Sequence, residues 1–299
     1  MIVRPIDGGV EVLAPAKLNL FLEILGRRPD GYHEIESIMV AVDLYDTLIL
    51  TDDPSGTITL RCDDPTLPTG RDNLVVKAAE RLRERSGCPH GASIELRKAI
   101  PAQAGLAGGS SDAAATLVAL DRLWNLRTPP GLMDALAGEI GSDVAFFRKS
   151  PAAICRGRGE QVEALTLTRP LHFVLVCPPV GMSTADVYRN LTLPERPRPI
   201  GPVVESLVGD RPAALGQSLF NRLQPVAETL APALTRVRDA LASLGPLLDG
   251  HLMSGSGSAY FGLGRNQGAA HAAAQHLETL GLGRVRVVSC GPRAAENAS

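Results

Sequence analysis

Between residues 91 and 124 the chain passes from strand-like to helix-like hydrophobic periodicity, and a run of small residues occupies the switch point. Ala92, Ile94 and Leu96 alternate with Ser93, Glu95 and Arg97, the rhythm of a half-buried strand. Ala113, Leu117, Leu120 and Trp124 then recur on one helical face. Between them run Pro101, Ala102, Gln103, Ala104, Gly105, Leu106, Ala107, Gly108, Gly109, Ser110 and Ser111. A helix that starts in such a run presents backbone N–H groups without intrahelical acceptors, at the positive end of its peptide dipoles. That is an anion site, and glycine lets the backbone come close to the anion. The serine hydroxyls add donors, or oxygen ligands for a nucleotide-borne Mg2+. The same residues also describe an ordinary Gly-Ser turn capping a helix, and on this stretch alone both readings stand. Two commoner glycine motifs are excluded. A Walker A loop requires a lysine at the helix entry, and none lies between Lys98 and the helix. Gly105, Gly108 and Gly109 also lack the spacing of the dinucleotide fingerprint.

Composition narrows the class of partner. A chain of 299 residues is long enough for two domains of ordinary size, and 44% hydrophobic with 21% charged residues is a globular composition. The net charge is -2, and no basic run exceeds Arg27-Arg28, so neither nucleic acid nor an anionic membrane is expected as partner. A small molecule is. The five cysteines, Cys62, Cys88, Cys155, Cys177 and Cys290, are scattered without a C-x-x-C pair, which predicts no metal site and no disulfide framework. Reduced thiols, no signal-peptide core near Met1 and no bilayer-length apolar stretch together predict a cytoplasmic protein.

The element pattern reads as α+β. Strands are predicted around Leu18, Leu20 and Leu22 on one shared face, over 35–43, over 47–50, and at Ile58 and Leu60; helices follow over 74–85, 113–124 and 132–140. A new strand over 171–177 precedes an extended connection marked by Pro194, Pro197, Pro199 and Pro202. Further on come the turn Ser254-Gly255-Ser256-Gly257-Ser258, a strand over 259–263, a helix burying Ala270, Ala273, Ala274 and Leu277, and a closing strand over 285–288. A boundary near residue 165 divides the chain into 1–165 and 166–299.

Three further places carry chemistry. In Ala14-Pro15-Ala16-Lys17-Leu18-Asn19-Leu20, the strand alternation puts Lys17 and Asn19 on one face, over a polar cleft or in solvent. Asp143, in Gly141-Ser142-Asp143-Val144, is either a helix N-cap or a general base in a partly dry site. The 254–258 turn is either a flexible hairpin or a backbone surface close to a ligand or to the first glycine loop.

Taken in order, the lysine strand, the Pro-x-x-x-Gly-Leu-x-Gly-Gly-Ser-Ser loop and the C-terminal glycine turn resemble the GHMP kinase superfamily, which includes galactokinase, homoserine kinase and mevalonate kinase. Within it the likeness is strongest to kinases of the isoprenoid route that phosphorylate the 2-hydroxyl of a cytidine diphosphate-linked methylerythritol. Ala14 to Leu20, Arg28-Pro29-Asp30-Gly31-Tyr32-His33, Asp72-Asn73-Leu74 and Gly141 to Val144 carry that likeness. The resemblance implies a two-domain GHMP kinase fold with the active site in the cleft between domains. It implies ATP on 101–111 together with Asn73 and Lys98, with Mg2+ carried by the nucleotide and ligated by Ser111, phosphate and water. No separate metal site on the protein is expected. Asp143 would take the acceptor's proton, and Lys17 would hold that carboxylate and offset charge at the transferring phosphoryl. Tyr32 and His33 would read the cytosine, with Tyr188 as a second clamping aromatic; Thr184 and Asn19 complete the acceptor site. The chain departs from the pattern at Gln103, Ala104 and Ala107, where relatives carry more glycine. A side chain there costs on the order of 1 kcal/mol wherever φ is positive. The alternatives are a GHMP kinase with another acceptor and a nucleotide-binding sensor without catalysis. The Asp-Gly-Tyr-His element opposes the first, and the retention of both Lys17 and Asp143 the second.

Overall fold

A computed structural model describes residues 1–209 and 211–291. The first part of the chain runs β1 (Ile2–Ile6), β2 (Gly9–Arg27), β3 (His33–Asp53), β4 (Ile58–Cys62), α1 (Leu74–Ser86), β5 (Gly91–Arg97), α2 (Gly108–Leu123), α3 (Pro130–Ile140), α4 (Val144–Lys149), β6 (Ala152–Gly157) and β7 (Gln161–Ala164). The second part runs β8 (Leu171–Cys177), α5 (Thr184–Arg189), α6 (Gly201–Val208), α7 (Pro212–Ser218), β9 (Phe220–Asn221), α8 (Gln224–Leu230), α9 (Ala233–Ala242), β10 (Leu248–Met253), β11 (Tyr260–Gly264), α10 (Gln267–Thr279) and β12 (Arg284–Cys290). The predicted α+β class is the observed one. The chain changes sheet between Ala164 and Leu171, although β9 returns to pair with β2.

The first sheet has eight strands and is built on the β2–β3 hairpin. β3 pairs with β5 through its second half and with β6 through its first, so one strand carries both wings of the sheet. The strands predicted over 35–43 and 47–50 are therefore a single strand. Their broken alternation is a bulge: Pro15 pairs with Tyr45 and Ala16 with Val42, and the chain continues through Asp43 and Leu44 without turning. A second bulge falls between Asn19 and Phe21 and flips the alternation of β2. Leu18 and Leu20 consequently join one core cluster, and Leu22 another, rather than all three sharing a face.

The helices match their predicted positions more closely. α2 is buried beyond the expected stripe, with Ala114, Ala115, Thr116 and Ala119 enclosed as well, because it runs between α1, α4 and the β2–β3 hairpin. Its small residues permit that approach. The second sheet, ordered β10-β11-β8-β12, is wholly antiparallel, and α10 lays Ala270, Ala273, Ala274 and Leu277 on it as expected. One core cluster takes residues from both sheets, including Leu18, Phe21, Phe173 and Phe261, so the two layers share an interior. All five cysteines are free. Among the described residues, no helix is long and apolar enough to cross a membrane.

Candidate active site

The loop from Lys98 to Ala107 is held at both ends. At its base, the Lys98 ammonium lies between Asp46 and Asp112, bonded to Asp46 Oδ2 and 2.7 Å from Asp112 Oδ2. Asp46 Oδ1 also accepts from the backbone N–H groups of Ala99 and Ile100, at 2.7 and 2.9 Å. One buried carboxylate of β3 thus fixes the entry of the loop, and one lysine ties that entry to the first turns of α2. At its tip, Gly105 packs on the 254–258 turn so closely that a Cβ would stand 2.0 Å from Ser254 O. Ala259 N–H donates to Ala104 O at 3.1 Å, and Ser254 Oγ–H to Gly105 O at 3.0 Å. The turn is therefore a support for the first glycine loop, one of the two readings its sequence allowed.

Inside this frame the backbone is strained where the sequence departs from glycine. Gln103 and Ala107 adopt φ of 52° and 56°, in the left-handed region, whereas Ala104 does not. Ala107 is the N-cap of α2 in that conformation. The first intrahelical bond runs from Ser111 N–H to Ala107 O at 3.0 Å, which leaves the N–H groups of Gly108, Gly109 and Ser110 without intrahelical acceptors. They border a cavity of about 1130 Å³. Of the residues predicted to hold nucleotide, Asn73, Lys98, Pro101 to Gly105, Ala107, Gly108, Gly109 and Ser110 line this cavity. Leu106 and Ser111 do not. Leu106 is 1% exposed in the shared core, and its carbonyl accepts from Lys17 N–H at 3.1 Å. The Ser111 hydroxyl is enclosed without a hydrogen-bond partner, so the serine facing the cavity is Ser110. Asn73 also caps α1, accepting from Val75 N–H at 2.9 Å.

Lys17 lies deeper, at 3% exposure, and is no solvated lysine. Its ammonium bonds to Asn19 Oδ1 and donates to Gly105 O at 2.6 Å. Burial pulls its pKa down, while the Asp143 carboxylate opposes that shift. The Cys155 thiol is pushed up to about 12 by burial and by Asp143. Asn19 also donates through Nδ2 to Ser37 Oγ at 2.8 Å, so both ends of its amide serve the protein. It borders the cavity as the residue that orients Lys17.

Asp143 precedes α4 but makes no capping bond, which removes the N-cap reading of its side chain. It lines the same cavity as Lys17 and lies near enough for its charge to act on the ammonium. The turn that carries it touches two other walls. A Cβ on Gly141 would stand 3.8 Å from Ser110 Oγ, and one on Gly159 3.5 Å from Asp143 Oδ1. The helix start that offers free N–H groups and the carboxylate are thereby neighbours.

Part of the cavity wall is aromatic, with Tyr32, His33 and Tyr188 lining it. Tyr32, at 54% exposure, projects from the β2–β3 turn and so does not pack beneath it. His33 stands 4.9 Å from Tyr188, ring to ring, at a tilt of 37°. Tyr188 is thus brought against His33 rather than Tyr32. Burial and the nearby Arg27 hold the His33 pKa down, which favours a neutral imidazole with one donor and one acceptor nitrogen. Thr184 Oγ1 meets Ser256 Oγ at 2.8 Å, joining α5 to the 254–258 turn. The structure adds Asp46, Asp112, Arg27 and Arg158 to the surroundings of the loop and cavity. Asp112 directly follows the Ser-Ser pair and was within reach of it; Asp46 pairs 52 positions away and leaves no local signal.

Residues 73–150 match the family described as GHMP kinases N terminal domain, and residues 203–281 that described as GHMP kinases C terminal. A relative named 4-diphosphocytidyl-2-C-methyl-D-erythritol kinase, from Pelotomaculum thermopropionicum, is 44% identical over 257 residues, covering 85% of this chain and 88% of its own. A crystal structure of 4-(cytidine 5'-diphospho)-2C-methyl-D-erythritol kinase superposes with a TM-score of 0.78 at 37% identity, covering 94% of this chain and 99% of that one. Homoserine kinase from Cytophaga hutchinsonii shares the fold, with a TM-score of 0.75 at 21% identity over 97% of this chain and 96% of its own.

Two predictions test the loop. Gly105→Ala forces a Cβ into Ser254 O and should abolish nucleotide binding or folding, whereas Ala107→Gly relieves a left-handed alanine and should stabilise the protein by about 0.5 to 1 kcal/mol. Denaturant unfolding of the two variants reads these opposite signs. The second concerns Asp112, whose pKa burial raises to about 7, with Lys98 opposing and Asp46 adding to the rise. Between the ordinary carboxylate range and about 7, the folded state keeps a proton that the unfolded state releases, so stability falls as pH rises through that window. Asp112→Asn should flatten this slope, and parallel pH–stability profiles for the two proteins would contradict the assignment.

Both halves of the chain match, the relatives align over most of their length, and the structures superpose nearly end to end; the chain belongs to the GHMP kinase family.

Proposed function

We propose that this protein transfers the γ-phosphoryl group of ATP to the 2-hydroxyl of 4-diphosphocytidyl-2-C-methyl-D-erythritol, a step toward isoprenoid precursors by the methylerythritol phosphate route. The observation that carries the reading is a single cavity lined by a helix start, by the buried Lys17 together with Asp143, and by Tyr32, His33 and Tyr188, the last two in ring contact. The named relatives and the Asp30-Gly31-Tyr32-His33 element support the same acceptor.

In this reading the N–H groups of Gly108, Gly109 and Ser110 receive ATP phosphate oxygens, and Asn73 and residues 101–105 line the nucleotide's side of the cavity. Asp143 accepts the proton of the acceptor hydroxyl as its oxygen attacks the γ-phosphorus. The bond from that phosphorus to the bridging oxygen breaks, and ADP leaves. Lys17, fixed by Asn19 and Gly105, offsets negative charge that spreads over the transferring group. Mg2+ arriving with ATP would draw ligands from phosphate, water and Ser110, which lines the cavity, and would supply further positive charge to the phosphoryl oxygens. Tyr32 offers a π-face to the cytosine, and His33 a donor and an acceptor to its edge. Tyr188 supports His33, and Thr184 fixes the neighbouring wall. We place the domain boundary near residue 165, with the reaction in the cleft between the halves, and the protein in the cytoplasm with a small-molecule partner.

The reading is tested by ADP release from ATP across candidate alcohols. Turnover is expected with the cytidine diphosphate-linked alcohol and not with mevalonate or homoserine, and the reverse selectivity would overturn it. Asp143→Asn should lower kcat by about 10² to 10⁴ fold while ATP affinity stays nearly unchanged, because the amide keeps the volume but accepts no proton. A variant with half the parent rate would remove Asp143 from its role.

A further inference from the structure

The proposed acceptor places its reacting hydroxyl at Asp143 and its cytosine at Tyr32 and His33, so the diphosphate between them must cross the intervening wall. Arg158 stands on that wall. Its guanidinium lies over the Tyr32 ring, 4.9 Å from the centroid, and the next residue, Gly159, backs Asp143 with the 3.5 Å approach described above. One residue thus touches the base-reading end while its neighbour touches the reacting end.

The other cations of the cavity are placed or committed elsewhere. Lys17 serves Asn19 and Gly105, Lys98 is held by two carboxylates, and Arg189, at 73% exposure, pairs with Asp186 at 2.6 Å. Arg27 pairs with His33 across the β2–β3 ladder, at the base-reading end. Around Arg158 the acidic groups are themselves occupied. Asp30 binds Arg28 and the Tyr32 N–H, and Glu160 accepts from the Arg158 backbone N–H at 2.7 Å while lying 3.9 Å from its Nε. Arg158 Nη2 makes one long bond, 3.4 Å to Gly138 O. The turn beneath is fixed: Gly157 has φ of +73°, and a Cβ there would meet Glu160 Oε1 at 2.6 Å. The result is a half-buried, preorganised guanidinium with N–H groups left to give, facing a cavity that must accept a diphosphate.

Resting on the proposed acceptor, we infer that Arg158 is a specificity-determining residue that grips the diphosphate of the substrate and so selects nucleoside diphosphate-linked alcohols over simple ones. Calorimetry with cytidine and with CDP tests it on the whole protein. The wild type should bind CDP about tenfold or more tighter than cytidine, the preference a charge-assisted hydrogen bond supplies. Arg158→Gln should bring that preference to within about threefold, with ATP KM unmoved, and Arg158→Lys should restore part of it by keeping the charge without the fork. Equal preference for CDP in the wild type and in Arg158→Gln overturns the inference and leaves the proposed function standing. No preference for CDP in a wild type that binds cytidine does the same. A wild type that binds neither ligand overturns both.

Discussion

An ammonium group removed from water needs acceptors in place and charge nearby, or it is lost to deprotonation. Lys17 meets that condition with three parts of the chain at once. Asn19 on the same strand and Gly105 on the glycine loop supply oxygens, and Asp143, which lines the same cavity, supplies opposite charge. Gly105 can offer its carbonyl there because, with φ of +73° and no Cβ, it fits against Ser254. The position of the loop, the seating of the 254–258 turn and the charge of the lysine are therefore one arrangement.

A second buried cation does for the base of the loop what Lys17 does for its tip. Lys98, Asp46 and Asp112 tie β3, the loop entry and α2 together in the interior. Between those two fixed points the loop tolerates left-handed Gln103 and Ala107, conformations that persist only where the surroundings over-determine them. Ala107 puts part of that strain at the start of α2, where the N–H groups of Gly108, Gly109 and Ser110 lack intrahelical acceptors. Catalysis by positioning needs such rigidity, because phosphoryl transfer gives a protein little covalent work to do.

Local patterns were legible in the sequence, and long-range pairings were not. The periods over 74–85, 132–140 and 270–277 located α1, α3 and α10 because one-sided burial writes itself into neighbouring residues. The glycine loop and its helix were legible for the same reason. Bulges were not: the extra residues opposite Pro15 and Ala16 made β3 look like two strands, and the one at Leu20 moved Leu22 to another face. Asp46 was hidden in that false break. The Ser-Ser pair looked equivalent in sequence, yet the helix turns one hydroxyl toward the cavity and encloses the other. Arg158 carried no signal of its own, since its place depends on Tyr32 reaching it from 126 positions away.

The arrangement of the site turns on Asp143 helping to keep the buried Lys17 charged. The direct measurement is the titration of Lys17 in protein carrying 13C- and 15N-labelled lysine, followed by NMR with and without Asp143→Asn. Burial lowers the Lys17 pKa and Asp143 opposes that, so removing the carboxylate should move the titration to lower pH. An unchanged Lys17 titration in the variant would contradict the coupling on which the arrangement rests.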